Sequence, residues 1–265
     1  MNRFENKVVI VTGGSSGIGR AAALAFAREG AKVALAARGA ERGEEVAHEI
    51  TRAGGQAIFI KADMATATDV ENLVNRTISK FLRLDCAFNN AATAEGVLTL
   101  AADFTEDQFD RVIAANLKGV WLCMKYQIPR MLKQDPQGGA IVNTSSVNGL
   151  GGSARGAIYS ASKAGVLALT KSAAQDYAKR GIRVNALVAG AFQTPMLQSV
   201  FDTISGGDPE GAEKVKGQYE EYIPLGRIGN PEEAAEAALW LCSDAASYVT
   251  GNSMIVDGGL TAPWR

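Results

Sequence analysis

The chain holds one histidine and three cysteines among 265 residues, and its charges nearly cancel, 27 basic against 28 acidic, for a net of −1. The single histidine, His48, sits among Glu44, Glu45 and Glu49. One imidazole without partners offers no ligand set, so no metal site is expected, and the carboxylates read as a solvated helix face. Cys86, Cys123 and Cys242 lie far apart in apolar runs, with no C-x-x-C pair. Buried free thiols in a reducing, cytoplasmic setting are the expectation. Near-zero net charge supplies no field to draw nucleic acid or an anionic membrane. The one basic doublet, Lys179-Arg180 before Gly181, suits a helix C-terminus. No apolar run approaches the ~18 residues of a membrane span, and Met1–Lys7 leads straight into a strand-like segment without room for a signal peptide.

What the chain does have is apolar residues, 47% of the total. That is enough for one sizeable core, and a single domain over residues 1–265 is expected. Strand-like runs fall at Val8–Val11, Lys32–Ala36, Ala57–Lys61, Leu84–Phe88, Ala140–Thr144, Arg183–Val188 and Met254–Val256. Most are uninterrupted apolar stretches, as in strands covered on both faces. Helical segments lie between them at Gly17–Arg28, Glu41–Arg52, Thr68–Phe81, Glu106–Met131, Tyr159–Lys179 and Pro231–Leu241, the last with Asn230 as cap and Pro231 in its first turn. The alternation predicts an α/β, doubly wound (Rossmann) fold: a parallel seven-stranded sheet with helices on both faces. One irregular stretch, about 193–223, is too long for an ordinary connection and reads as a substrate lid.

After the first strand comes Thr12-Gly13-Gly14-Ser15-Ser16-Gly17-Ile18-Gly19. Glycines here permit a tight strand-to-helix turn and close approach of a ligand, and the following helix aims free N–H groups at a pyrophosphate. Ser15 and Ser16 add hydroxyl donors. At the end of the second strand the chain has Ala36-Ala37-Arg38 in place of a carboxylate. A guanidinium there can hold a 2′-phosphate, which predicts NADP(H) in preference to NAD(H).

Further along, Tyr159-Ser160-Ala161-Ser162-Lys163 sets a tyrosine and a lysine four apart on one helix face. A phenol titrates near ~10, and an adjacent ammonium pulls that value toward neutrality. Ser146, thirteen residues earlier, follows an apolar run and falls at a strand's C-terminal end, where open α/β sheets bind ligands. Leu98, Leu150, Phe192, Met196, Leu197, Val200, Phe201 and Tyr222 flank the site or lie in the lid, and Asn148 and Arg155 stand between Ser146 and Tyr159. Asn148, Leu150, Phe192, Met196 and Leu197 are the candidate substrate contacts, suited to an apolar or aromatic carbonyl compound.

These motifs resemble the short-chain dehydrogenase/reductases over about residues 5 to 261. The glycine motif matches Thr12 to Gly19, the adenine-contacting aspartate matches Asp63, with Met64 beside it, and N-N-A-G appears as Asn89-Asn90-Ala91-Ala92. Asn116, Ser146, Tyr159 and Lys163 match the catalytic set, Ala189-Gly190 the usual P-G, Thr194 the holder of the carboxamide, and Val256-Asp257-Gly258-Gly259 the closing motif. Ala92 and Ala189 depart from the pattern without removing a reacting group. The resemblance implies hydride transfer between NADP(H) and a ketone or secondary alcohol. Tyr159 would be acid or base, Ser146 would bond the substrate oxygen, and Lys163 would lower the tyrosine pKa and bond the ribose. Asn116 would relay protons through its backbone carbonyl and a water. Gly13, Ser15, Ser16, Gly17, Ile18, Gly19, Arg38, Asp63, Met64, Asn90, Ala91, Phe192 and Thr194 would contact the dinucleotide with Tyr159 and Lys163. A homotetramer built on segments 106–131 and 159–179 and the C-terminal segment is also implied. Two other readings stay open, a 3-oxoacyl-carrier-protein reductase and a non-catalytic NADP(H)-sensing protein of the same fold; a complete catalytic set favours an enzyme.

Overall fold

A computed structural model of the chain describes residues 2–262. Seven strands, β1 (Val8–Thr12), β2 (Lys32–Ala37), β3 (Gln56–Lys61), β4 (Cys86–Asn89), β5 (Gly139–Ser146), β6 (Ile182–Ala189) and β7 (Ser253–Val256), form one sheet in the order β3-β2-β1-β4-β5-β6-β7. Every neighbouring pair is parallel. The expected doubly wound architecture is therefore present, with strand ends shifted by one or two residues.

Nine α-helices connect the strands among the described residues: α1 (Gly17–Arg28), α2 (Ala40–Arg52), α3 (Ala67–Phe81), α4 (Glu106–Ile113), α5 (Gly119–Lys133), α6 (Ala157–Tyr177), α7 (Pro195–Ile204), α8 (Pro209–Tyr222) and α9 (Pro231–Cys242). The two-residue period of a strand divides its side chains between two cores. From β1, Val9 and Val11 join Phe26 of α1 and Leu239 of α9 on one face. Val8 and Ile10 join Leu73 of α3, Leu122 of α5 and Val166 of α6 on the other. Alanines line the meeting faces of α1 (Ala21, Ala22, Ala25) and α9 (Ala234, Ala235, Ala238), so small side chains there leave room for two helices over one sheet face. A capping box between Asn230 and Glu233 starts α9 as expected. Gly181, at φ +75°, ends the α6 region in the left-handed conformation.

Two expectations need correction. The 106–131 segment is not one helix, because Ala114–Lys118 forms a π turn between α4 and α5. The 193–223 stretch is not irregular but folds as α7 and α8. Both carry proline in the first turn, and the side chains of Thr194 and Asp208 cap them. Together they build a small core of their own, with Phe201, Ala212, Ile223 and Ile228 buried at its centre.

The order of the sheet places the site. After β3 the chain crosses to the far side of β1, and β4 pairs with it there, Val9 opposite Cys86 and Thr12 opposite Asn89. Connections leaving β1 and β4 therefore run to opposite faces. A crevice opens at their C-terminal ends.

Candidate active site

The β1–α1 turn forms one wall of that crevice. Gly13 and Gly17 have φ of +68° and +50°, a region that penalises any side chain. Gly19 is helical, but a Cβ there would run into the carbonyl oxygen of Gly13. The turn closes only because these positions are bare. At the start of α1, Ser16 makes no side-chain cap and the first turn carries no acidic residue, so the helix presents unsatisfied N–H groups to the crevice. Bare glycines and free N–H groups of this kind suit an anion such as a phosphate. Thr12 ties the next wall to it: its Oγ1 accepts from the backbone N–H of Asn90 at 2.9 Å and of Ala91 at 3.1 Å. Thr194 sits over Gly17 while its side chain accepts from the Leu197 N–H at 3.2 Å to cap α7.

Ser146, the last residue of β5, and Tyr159 and Lys163, one turn apart on α6, face the same cavity as the glycine turn. The Ser146 Oγ accepts from the Asn148 N–H at 3.2 Å, which leaves its proton free to donate outward. Lys163 is 2% exposed; its Nζ donates to the Thr144 carbonyl at 2.9 Å and lies 5.8 Å from the centre of the Tyr159 ring. Burial lowers the lysine pKa to about 8. Burial also holds the Tyr159 phenol above its ordinary value, with a hydrogen bond from Ser146 acting in the opposite direction. The Y-x-x-x-K spacing predicts a phenol acidified by Lys163. At 5.8 Å over the ring, the ammonium does not overcome desolvation in the protein alone.

Asn116 lies in the π turn, fully buried, with Gly119 N–H donating to the Ala114 carbonyl. Its amide grips the β4 loop from both sides, accepting from Thr93 N–H at 2.8 Å and donating to Thr93 O at 3.0 Å, and reaches Ser162 Oγ at 3.3 Å. A π turn also breaks the regular i→i−4 ladder, the local condition for a backbone carbonyl to take another partner. Beneath the cavity, Asn89, Gln127, Asn143 and Thr170 form a buried network, with Asn89 donating to Gln127 at 3.1 Å and to Asn143 at 2.9 Å, and Asn143 to Thr170 at 3.0 Å. Fully satisfied polar groups in a core fix the relative setting of β4, β5, α5 and α6.

The cavity measures about 400 Å³. Gly13, Ser16, Gly17, Ile18, Asn90, Ala91 and Thr194 line it beside the glycine turn, Thr144, Ser146, Asn148, Tyr159 and Lys163 on the side of β5 and α6, and Phe192, Met196, Leu197 and Val200 toward α7. Ser15, Gly19, Arg38, Asp63, Met64 and Asn116 are not among its lining residues. Arg38 is exposed directly after β2, Asp63 holds the turn before α3 by accepting from the Ala65 N–H at 2.9 Å, and Met64 packs into the core beside Cys123. Four expected neighbours of the substrate do not reach the cavity. Leu150 is 45% and Tyr222 68% exposed, Phe201 is the centre of the lid's own core, and Leu98 adopts a positive φ in a loop. Arg155 also stays outside, exposed in a loop at φ +57°. In their place the cavity has Ala94, Val97, Tyr219 and Leu260. Leu260 is brought there by Asp257, whose carboxylate accepts from Gly259 N–H (2.8 Å), Thr261 N–H (2.8 Å) and Thr261 Oγ (2.7 Å).

A parallel sheet with a glycine cradle at its crossover and a serine, tyrosine and lysine around one cavity defines a dinucleotide-dependent α/β oxidoreductase. The chain belongs to the short-chain dehydrogenase/reductase family, whose cofactors are nicotinamide dinucleotides: the family model described as enoyl-(acyl carrier protein) reductase matches residues 13–261. Over 262 residues it is 44% identical to 2,5-dichloro-2,5-cyclohexadiene-1,4-diol dehydrogenase of Sphingobium indicum, covering 99% of this chain and 100% of that one. It is 39% identical over 261 residues to cyclohexanol dehydrogenase of an Acinetobacter species, covering 98% and 97% of the two chains. The crystal structure of levodione reductase superposes with a TM-score of 0.93 at 35% identity, covering 98% of this chain and 100% of that one.

Proposed function

We propose that this protein is an NADP(H)-dependent dehydrogenase that interconverts an alicyclic secondary alcohol and its ketone. The observation that carries the reading is the sharing of one cavity by the glycine cradle and by Ser146, Tyr159 and Lys163. The wall beyond them is mostly aliphatic or aromatic, namely Val97, Phe192, Met196, Leu197, Val200 and Leu260, which suits a ring hydrocarbon better than a charged substrate. Relatives named for a cyclohexadiene diol and for cyclohexanol support the same class.

In this reading, Gly13 to Gly19 and the α1 N-terminus hold the pyrophosphate, Asp63 and Met64 stand by the adenine, and Asn90, Ala91, Phe192 and Thr194 flank the nicotinamide. Arg38, exposed after β2 and in no ion pair among the described residues, selects the 2′-phosphate. When bound, the nicotinamide supplies or accepts the hydride. The protein's part is proton management. Ser146 donates a hydrogen bond to the substrate oxygen and stabilises charge developing there. Tyr159 gives that oxygen a proton in reduction and removes it in oxidation. Lys163, an ammonium below about pH 8, bonds the ribose and favours the phenolate against the burial that opposes it. The π turn at Asn116 frees a carbonyl to carry a water toward Lys163.

The α7–α8 unit acts as the substrate lid. Half-exposed Phe109 on α4 and Trp121 on α5, with Ile255 on edge strand β7, support a homotetramer through those surfaces. Three free, buried thiols suit a reducing cytoplasm. The test is absorbance at the reduced nicotinamide band with NADP+ or NAD+ and a panel of cyclohexanol, linear secondary alcohols and, in reverse, a 3-oxoacyl thioester. Ring alcohols with NADP+ should be turned over fastest; a preference for the thioester or no turnover at all would refute the reading.

A further inference from the structure

Polar groups in the cavity are unevenly placed. Ser146, Tyr159 and Asn148 belong to the end built by β5 and α6, and the Asn148 N–H bonds Ser146 itself. On the lid side, Met196, Leu197, Val200 and Leu260 are apolar, and Thr194, whose Oγ accepts from the Leu197 N–H to cap α7, lies over Gly17 at the glycine turn. Tyr219 of α8 is the exception. Ala212, Val215 and Tyr219, at helical spacing, turn one face of α8 into the lid core, where the Tyr219 ring meets buried Phe201 edge-on at 5.2 Å between centroids. The ring is thus held while lining the same cavity as Tyr159. Its hydroxyl has no protein partner among the described residues, yet it is absent from the buried polar atoms left unpaired, so it reaches open space. A fixed phenol on an otherwise apolar wall is a hydrogen-bonding point in search of a ligand atom.

We infer that Tyr219 is a specificity-determining residue that binds a second oxygen of the substrate, remote from the carbon that reacts. The inference rests on the ring-alcohol reading above and narrows it: the preferred substrate carries oxygens at two separated ring positions, one between Ser146 and Tyr159 and the other at Tyr219. A phenol both donates and accepts, so hydroxyl and carbonyl oxygens serve equally at the far position.

The test compares Tyr219→Phe with the wild type on cyclohexanol, with one oxygen, and cyclohexane-1,4-diol, with two. The variant keeps the ring that packs on Phe201, and its turnover of cyclohexanol reports that fold and catalytic groups are intact. The expected result is a fall of about tenfold in kcat/KM for the diol, carried mainly by KM, with cyclohexanol changed less than twofold. Equal losses on both substrates would assign Tyr219 a packing role, and no loss on either would leave its hydroxyl without function; each overturns the inference while leaving the ring-alcohol reading in place. A wild type that turns over neither compound overturns that reading, and the inference with it.

Discussion

Replacing Lys163 by methionine should make the cofactor-free protein more stable while abolishing its activity. Burial alone depresses the Lys163 pKa from 10.5 to about 8. A group whose charged form is disfavoured in the folded state binds fewer protons there than in the unfolded chain between these two values. Stability therefore rises with pH across that window, and the penalty is complete below about pH 8. At ~1.4 kcal/mol per unit the cost is about 3 kcal/mol at pH 7, shrinking to about 1 kcal/mol at pH 9.5. Methionine has a similar length and no charge, and it forfeits the hydrogen bond to the Thr144 carbonyl, about 1 kcal/mol. The net gain is about 2 kcal/mol at pH 7, or roughly 4–8 °C in Tm, and close to nothing at pH 9.5. Calorimetry of wild type and variant at the two pH values provides the comparison. A variant that is less stable at pH 7, or an advantage that does not shrink with rising pH, would show that the ammonium is solvated or paired in a way that its 2% exposure and single carbonyl partner do not reveal.

Two further substitutions probe the cofactor. Arg38→Leu should raise the KM for NADPH by about 10- to 100-fold, the worth of one charge-assisted contact, and change that for NADH by less than about threefold; equal losses in steady-state assays would remove Arg38 from cofactor selection. Gly19→Ala places a methyl against the Gly13 carbonyl, so fluorescence titration should show dinucleotide affinity weakened by at least about tenfold with the far-ultraviolet circular dichroism unchanged, whereas unaltered affinity would mean that the turn is free to move.

The strands were legible because a sheet covered on both faces demands continuous apolar runs, and β1 and β2 supply them. The glycine turn was equally readable, since positions such as Gly13 and Gly17 tolerate nothing else. Legibility failed where geometry is not local. Nothing in Ala114-Ala-Asn-Leu-Lys118 breaks a helix, so the π turn was silent. The lid helices were obscured by Gly206-Gly207 and a charged α8, although Thr194-Pro195 and Asp208-Pro209 each carried a cap followed by a first-turn proline. Leu150 lies close to Ser146 in sequence, but the chain carries it out toward Gly151 and Gly152, and it ends on the surface. Tyr219 and Leu260 reach the cavity from segments 60 and more residues beyond Tyr159, through tertiary packing that no local pattern announces. The raised Tyr159 pKa was also hidden, since burial has no signature in a Y-x-x-x-K spacing.

Proton transfer by the phenol is best examined with Tyr159→Phe, which deletes one oxygen and leaves the ring in place. Turnover of cyclohexanol should drop by at least about a thousandfold, whereas the dissociation constant for NADPH, followed by fluorescence titration, should stay within about threefold of the wild type. Substantial remaining turnover with saturating cofactor would contradict the assignment of Tyr159 as the group that exchanges the proton.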